Sequence, residues 1–262
     1  MKQSAIELLV LSVSNSIIQP RDRVVVSVVM AVYNEESTVC QTIDKLLAKK
    51  FKDFDLELII VESQSTDSTQ KKIRPYESHK NVKIIYQDKP RGKGNAVREG
   101  FKYATGSVFL IQDADDEYSP DDYPSLVLPI LDGRRDFVLG TRHKQGEAMR
   151  VMEGEPLNAK MLNLGHHFFV WFFNMLYGTK LTDPFTMYKV FRRECIEGLE
   201  FKSDRFDFDW ELVGKLVRRS YIPLEIPISY NARGFIQGKK VRFFRDPITW
   251  IIAAVRFRFE KI

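Results

Sequence analysis

The apolar and polar positions of this chain follow two patterns, one for each half. Val24–Val32 reads Val-Val-Val-Ser-Val-Val-Met-Ala-Val, a nearly unbroken β-branched run that predicts a parallel strand buried on both faces. Asn34 then stands where a helix cap belongs, with Glu35 and Glu36 in the first turn, where the helix dipole favours acids. Leu58–Val61 predicts a second strand, followed by a helix near Asp67–Tyr76. Val82–Tyr86 predicts a third, followed by a Gly-rich loop and a helix over 95–104. Val108–Ile111 predicts a fourth, ending at an acidic cluster. Pro120–Leu131 reads as helix and Phe137–Leu139 as a fifth strand. Regular β-α alternation predicts an α/β fold, a doubly wound and mostly parallel sheet with ligands at its carboxyl ends.

The second half is less regular. Residues 142–156 are polar and predict a mobile loop, and 157–177 an aromatic-rich helix. After these come a strand at Phe185–Phe191, a helix over 208–219, a strand at Ile222–Ile228, a basic loop and a final helix over 246–259. One domain is expected, with a nucleotide-binding half over 24–141, an acceptor-binding half over 142–245 and an amphipathic helix over 246–262.

Composition narrows the class without naming a partner. The chain has 262 residues, 44% of them hydrophobic, and 40 Lys+Arg against 35 Asp+Glu, which excludes a disordered or fibrous chain. Two cysteines, Cys40 and Cys195, are too few for a disulfide framework and fit a reducing cytoplasm. The longest apolar runs, Phe168–Phe173 and Ile248–Val255, fall far short of the roughly 20 residues of a spanning helix. The patch from Ile6 to Val13 lacks a cleavage site and reads as a surface helix rather than a signal peptide. The basic excess gathers late: Arg233, Lys239, Lys240, Arg242, Arg245, Arg256, Arg258 and Lys261 face only Asp246 and Glu260. Such a tail suits a phosphorylated ligand, a membrane surface or nucleic acid.

The chemistry concentrates in Gln112-Asp113-Ala114-Asp115-Asp116-Glu117. Alternate residues of an extended segment point the same way, so Asp113, Asp115 and Glu117 can converge. Three like charges repel unless a cation sits among them, and hard carboxylates suit Mg2+ or Mn2+. A solvated turn capping the next helix is the plainer reading of the same acids. His166 and His167 are adjacent on a helix and point to different faces, so one is expected inside and one outside.

These motifs occur in a telling order. Val28-Val29-Met30-Ala31-Val32-Tyr33-Asn34-Glu35, the segment from Glu62 to Thr69, Gly92-Lys93-Gly94 and Asp113-Ala114-Asp115 together resemble family 2 glycosyltransferases. The likeness continues through Val138–Arg142, Thr182-Asp183, Tyr188–Arg193 and Ile226-Pro227-Ile228, over about residues 24–245. Within the family the chain is most similar to dolichyl- and polyprenyl-phosphate mannose and glucose synthases. The resemblance implies a GT-A fold with a C-terminal acceptor-binding extension, and an inverting, metal-dependent hexosyltransferase using a UDP- or GDP-sugar. It implies that Ala31, Tyr33, Glu35, Glu62, Lys93, Asp113, Ala114 and Asp115 bind the nucleotide-sugar. Asp113, Asp115 and Glu117 would hold Mg2+ or Mn2+. Arg142, Arg150, Arg233, Lys239 and Lys240 would bind an acceptor phosphate, and Asp115, Arg142 and Asp183 would serve catalysis. Asp183 stays open between general base, Arg-pairing acid and turn residue.

The expected acceptor is a polyprenyl phosphate at the cytoplasmic face of a membrane, touched peripherally; a glycan hydroxyl is the alternative. Nucleic acid is the least favoured partner. A dinucleotide-dependent dehydrogenase is disfavoured, because the first turn reads Tyr33-Asn34-Glu35 and lacks Gly-x-Gly-x-x-Gly. A catalytically silent membrane-surface protein is the reading from another class.

Overall fold

The computed structural model describes residues 23–143, 149–152, 154–234 and 245–262, with side chains from Pro247 onward in the last segment. The Ile6–Val13 patch, Lys239, Lys240 and much of the 142–156 loop lie outside the described residues.

Among the described residues seven strands form one sheet: β1 (Val24–Val32), β2 (Phe54–Glu62), β3 (Val82–Tyr86), β4 (Val108–Asp113), β5 (Phe137–Thr141), β6 (Lys189–Arg192) and β7 (Leu224–Pro227). Their spatial order is β3-β2-β1-β4-β6-β5-β7. The sheet is mostly parallel, with β6 antiparallel to both β4 and β5. The α-helices of the described residues are α1 (Val39–Ala48), α2 (Thr69–Ile73), α3 (Lys93–Tyr103), α4 (Tyr123–Leu131), α5 (Pro156–Tyr177), α6 (Phe208–Arg218) and α7 (Arg245–Phe259).

The strand registers position the site. Ala31 pairs with Asp113 of β4, and Val32 pairs with Glu62 of β2, so the carboxyl ends of the central strands finish at one level. The strands β1, β2 and β4 are buried through their middles, with Val28, Ile60 and Leu110 inaccessible to solvent. That burial is the outcome of covering a parallel sheet on both faces. On one face α3 approaches β1 so closely that a Cβ on Gly100 would lie 2.4 Å from Val29 Cγ1. Phe191 of β6 packs edge-on against Phe109 at 5.8 Å and Phe137 at 6.2 Å, tying the antiparallel strand into the core.

Several expectations shift in detail. Strand β2 begins four residues before Leu58, at Phe54, with Asp55 exposed and Glu57 half-buried along its first half. The strand expected at Phe185–Phe191 starts at Lys189. Asn34 does not cap α1, which begins at Val39 with no acid in its first turn. Instead Asn34 takes a left-handed conformation, φ 51°, and its Oδ1 accepts from Thr66 N–H at 2.8 Å. It thereby ties the turn after β1 to the turn after β2. As expected, His166 is buried and His167 exposed.

Candidate active site

A cavity of about 850 Å³ opens over the carboxyl ends of β1 and β4 and runs beneath α5, α6 and α7. Ala31, Tyr33, Glu35, Lys93, Asp113, Ala114, Asp115 and Glu117 line its sheet side. Arg142, Arg150, Tyr230 and Arg233 line its middle, and Met161, Phe169, Trp210 and Trp250 its apolar end.

The acidic cluster is met by the protein's own cations. Lys93 Nζ lies 2.6 Å from Asp113 Oδ1. Burial would lower the Lys93 pKa, but Asp113, with Asp209 nearby, outweighs burial and raises it. Arg233 Nη2 donates to Asp115 Oδ2 at 2.9 Å, and its Nη1 donates to Glu35 Oε2 at 3.1 Å. Burial and the charges of Asp113 and Glu117 push Asp115 up to about 7, against the pull of Arg233 and Lys93. Arg233 therefore sits among the carboxylates rather than with the other arginines.

Glu117 has a different use from the one its spacing implied. Its Oε1 accepts from Arg233 N–H at 2.7 Å, and its Oε2 accepts from the Tyr230 hydroxyl at 3.0 Å. It thus anchors the 230–233 segment instead of converging with Asp113 and Asp115. Among the described residues no three His, Cys, Asp or Glu side chains gather as a metal cage. The donor set that remains, Asp113 and Asp115, fits a hard cation that completes its shell with substrate phosphates and water, the way Mg2+ is commonly held.

Glu62 does not reach the cavity. It is fully buried, accepts from Ser65 N–H at 2.6 Å and Gln64 N–H at 3.0 Å, and takes a third bond from Gln70 Nε2 at 2.6 Å. A buried carboxylate closes its own turn here, and the neighbouring Ser63 lines the cavity. The glycines of Gly92-Lys93-Gly94 also serve the fold. A Cβ on Gly92 (φ 104°) would meet Asp204 O at 2.3 Å, and one on Gly94 would meet Phe208 Cβ at 2.6 Å. They let α3 start hard against the segment leading into α6, which sets Lys93 over Asp113.

The middle of the cavity is organised by a buried ion pair. Asp183 is inaccessible, and Arg142 donates to both its oxygens: Nε to Oδ2 and Nη2 to Oδ1, each at 2.7 Å. Glu225 of β7 holds the turn from below, accepting from Asp183 N–H at 2.7 Å. Burial alone would raise the Asp183 pKa, but Arg142 holds it well below the usual carboxylate range. Of the three readings left open for Asp183, the geometry matches the Arg-pairing acid, since no substrate can touch it. His166 packs on this pair, 3.8 Å from Asp183 Oδ1, and shares an Nε2···Nε2 hydrogen bond of 3.0 Å with His143. Burial, reinforced by Arg142 and Arg150, pushes His166 down to about 3, so it is neutral.

Arg150 is different. No carboxylate partners its guanidinium among the described residues, and its Nε is buried without a hydrogen-bond partner. Burial and the neighbouring Arg142 lower its pKa, the signature of a cation with no counter-charge. Pattern reading missed Ser63, Asp209 and Trp250, all of which line the cavity. Asp209 opens α6 and bonds to Lys189 Nζ at 2.7 Å. Only the fold brings these residues to the site, and no local spacing marks them.

A crevice at strand ends, an Asp-x-Asp at its centre and a mixed basic and apolar chamber beside it define a GT-A type of fold and site. The chain belongs to glycosyl transferase family 2, whose family model matches residues 27–197. It is 27% identical over 218 residues to a dolichol-phosphate mannosyltransferase of Pyrococcus furiosus, covering 82% of this chain and 60% of that protein. It is 27% identical over 256 residues to a dolichyl-phosphate beta-glucosyltransferase of Dictyostelium discoideum, covering 92% and 76%. This chain thus spans less than two thirds of the Pyrococcus protein's length. The fold is similar to glucosyl-3-phosphoglycerate synthase from Mycobacterium tuberculosis, crystallised with Mn2+, UDP-glucose and phosphoglyceric acid. The TM-score is 0.65 at 18% identity, over 90% of this chain and 80% of that one.

Proposed function

We propose that this chain transfers a hexose from a UDP- or GDP-sugar to a polyprenyl phosphate at a membrane surface, inverting the anomeric carbon. The observation that carries this reading is Arg150, a buried guanidinium with no carboxylate partner among the described residues, in a chamber also lined by Arg142, Phe169, Trp210 and Trp250. A buried cation without a carboxylate calls for an anionic ligand, and an apolar wall beside it suits a lipid tail. The relatives named for dolichol-phosphate transfer support the same substrate class.

In this reading Tyr33, Glu35, Ser63 and Lys93 surround the nucleotide. Asp113 and Asp115 would hold Mg2+ or Mn2+, which supplies charge neutralisation for the departing diphosphate. An acceptor phosphate oxygen attacks the anomeric carbon as the bond from that carbon to the diphosphate oxygen breaks. The phosphate is already anionic, so no general base is required. Arg142, fixed by Asp183, and Arg150 orient it, and the rate gain comes from positioning and charge.

The outer faces of two helices support a peripheral membrane contact. Leu157, Met161, Leu164, Phe168, Trp171 and Met175 form an exposed stripe along α5, and Ile248, Ile252, Val255 and Phe259 one along α7. Exposed Lys160, Arg256 and Lys261 accompany them, a combination suited to an anionic interface. Among the described residues no helix is long and apolar enough to cross a membrane.

The test is a panel of UDP- and GDP-sugars, with Mn2+, with and without a short polyprenyl phosphate. Product that requires the lipid phosphate is expected. Equal product with a glycan or other hydroxyl acceptor alone would overturn the acceptor assignment and move attention to Asp209 as the acid able to reach it.

A further inference from the structure

We infer that Arg233 is an exchangeable counter-ion, holding the place of the divalent cation among the carboxylates until cation and diphosphate arrive. The inference rests on the proposed metal role of Asp113 and Asp115 and goes beyond it.

Neither carboxylate is bare. Both oxygens of Asp113 lie within bonding distance of Lys93 Nζ, at 2.6 and 2.9 Å. Asp115 gives Oδ2 to Arg233 at 2.9 Å and Oδ1 to Glu117 N–H at 3.2 Å. A cation that takes Asp115 as ligand enters beside a guanidinium bonded to the same carboxylate, and two positive charges at that range repel in a partly buried site. One of them must yield.

The attachment of Arg233 makes it the one that can. Its main chain is pinned: its N–H bonds to Glu117 Oε1 at 2.7 Å, Asn231 N–H bonds to Glu117 O at 2.9 Å, and Tyr118 bridges to Tyr230. The side chain, by contrast, holds acids only through its two terminal nitrogens, and its Nε lies 3.9 Å from Glu117 without a hydrogen bond. Side-chain rotation alone moves the guanidinium off Asp115 while the backbone stays in place. Arg233, Arg142 and Arg150 all line the same cavity, so a guanidinium released from Asp115 stays within reach of a ligand there. The residue that balances the acids in the resting protein becomes a grip for the substrate's phosphates in the loaded one. Cation and anion binding are then coupled through one side chain, each favouring the other.

The test uses the full chain and Mn2+, followed by electron paramagnetic resonance of the free ion, first alone and then with inorganic pyrophosphate. Arg233→Met should bind Mn2+ alone about tenfold more tightly than the unaltered protein, the scale of one charged hydrogen bond released. Adding pyrophosphate should tighten Mn2+ binding more in the unaltered protein than in the variant. Arg233→Lys, which restores a cation, should return toward the unaltered affinity and covers the case in which the methionine variant does not fold. Arg91→Met removes a positive charge from the same cavity without touching the acids, and should change Mn2+ affinity little. Unchanged or weaker Mn2+ binding in Arg233→Met, or an equal gain in Arg91→Met, overturns the exchange. Absence of Mn2+ binding in every form, with and without pyrophosphate, instead overturns the metal role of Asp113 and Asp115.

Discussion

Arg142 and Asp183 form a two-pronged, buried ion pair 41 residues apart in sequence, at the point where β5 hands the chain to the acceptor side. The pair fixes the direction in which Arg142 faces the cavity, because its Nε and one terminal nitrogen are both committed to the carboxylate. Asp183 is a positioning residue that acts through Arg142, and its exclusion from solvent separates it from the substrate.

Asp183→Asn keeps the shape and leaves a buried guanidinium uncompensated. Urea denaturation should show a loss of about 3–5 kcal/mol. Adding Arg142→Met to that variant should restore part of the stability, since the orphaned charge is gone. A single variant that lost turnover with unchanged stability would instead mark Asp183 as a base.

Arg150 should affect the acceptor and not the donor. Arg150→Met is expected to raise the acceptor KM on the order of tenfold to a hundredfold, the cost of a charge-assisted bond. The nucleotide-sugar KM should stay within a factor of about two, because the proposed donor contacts are Tyr33, Glu35, Ser63 and Lys93. Steady-state kinetics with each substrate varied in turn decides this, and a donor effect as large as the acceptor effect would defeat the assignment.

The sequence made the donor half legible and much of the acceptor half opaque, for physical reasons. Val24–Val32 announces a buried parallel strand by its β-branched run and Val108–Ile111 by its unbroken apolar run, so Asp113 and Asp115 could be placed at a strand end directly. The family resemblance made Glu62 a nucleotide ligand, yet three nearby donors claim it within eight residues. Glu117 fits the alternation of an extended segment, but Asp116 takes φ 60° and breaks it, turning Glu117 toward the 230–233 segment. The meeting of Arg233 with Glu35 spans 198 residues, and no periodicity encodes a contact of that range. Asp209 was invisible because it looks like any acid at a helix start until the fold turns it into the cavity.

Acid should weaken the acceptor side first. His166 is held neutral in the folded protein, pushed down to about 3, whereas an unfolded histidine titrates near 6.5. The unfolded state therefore takes up a proton that the native state refuses, and stability falls as pH drops from about 6.5 toward 3. His143, lowered by burial, adds in the same sense. The depressed Asp183 contributes stability that is present above its unfolded pKa near 3.9 and lost as pH falls below that. Thermal melts at pH 7 and pH 5 should differ less in His166→Gln than in the unaltered protein. An equal difference in both would show that His166 is not the titrating group.

The exposed stripe of α5 separates membrane docking from folding. Phe168 and Trp171 are 49% and 58% exposed, so replacing both with serine removes only partial packing, chiefly Phe168 against Phe169 and Phe172, and the melting temperature should fall by no more than a few degrees. Burial of each side chain in an interface is worth about 1.5–3 kcal/mol. The double variant should then lose at least tenfold in partitioning to vesicles containing anionic lipid, measured by sedimentation. Raising ionic strength should weaken the unaltered protein's binding, because Lys160, Arg256 and Lys261 contribute a screened attraction. Binding to neutral and anionic vesicles alike, insensitive to both the serine substitutions and salt, would place the contact elsewhere on the molecule. Met161 belongs to both the stripe and the cavity wall, so α5 seated on a membrane as proposed would set the cavity mouth at the depth from which a lipid phosphate would enter. The same double variant should accordingly lose turnover on lipid-embedded acceptor while retaining it on a short, soluble polyprenyl phosphate.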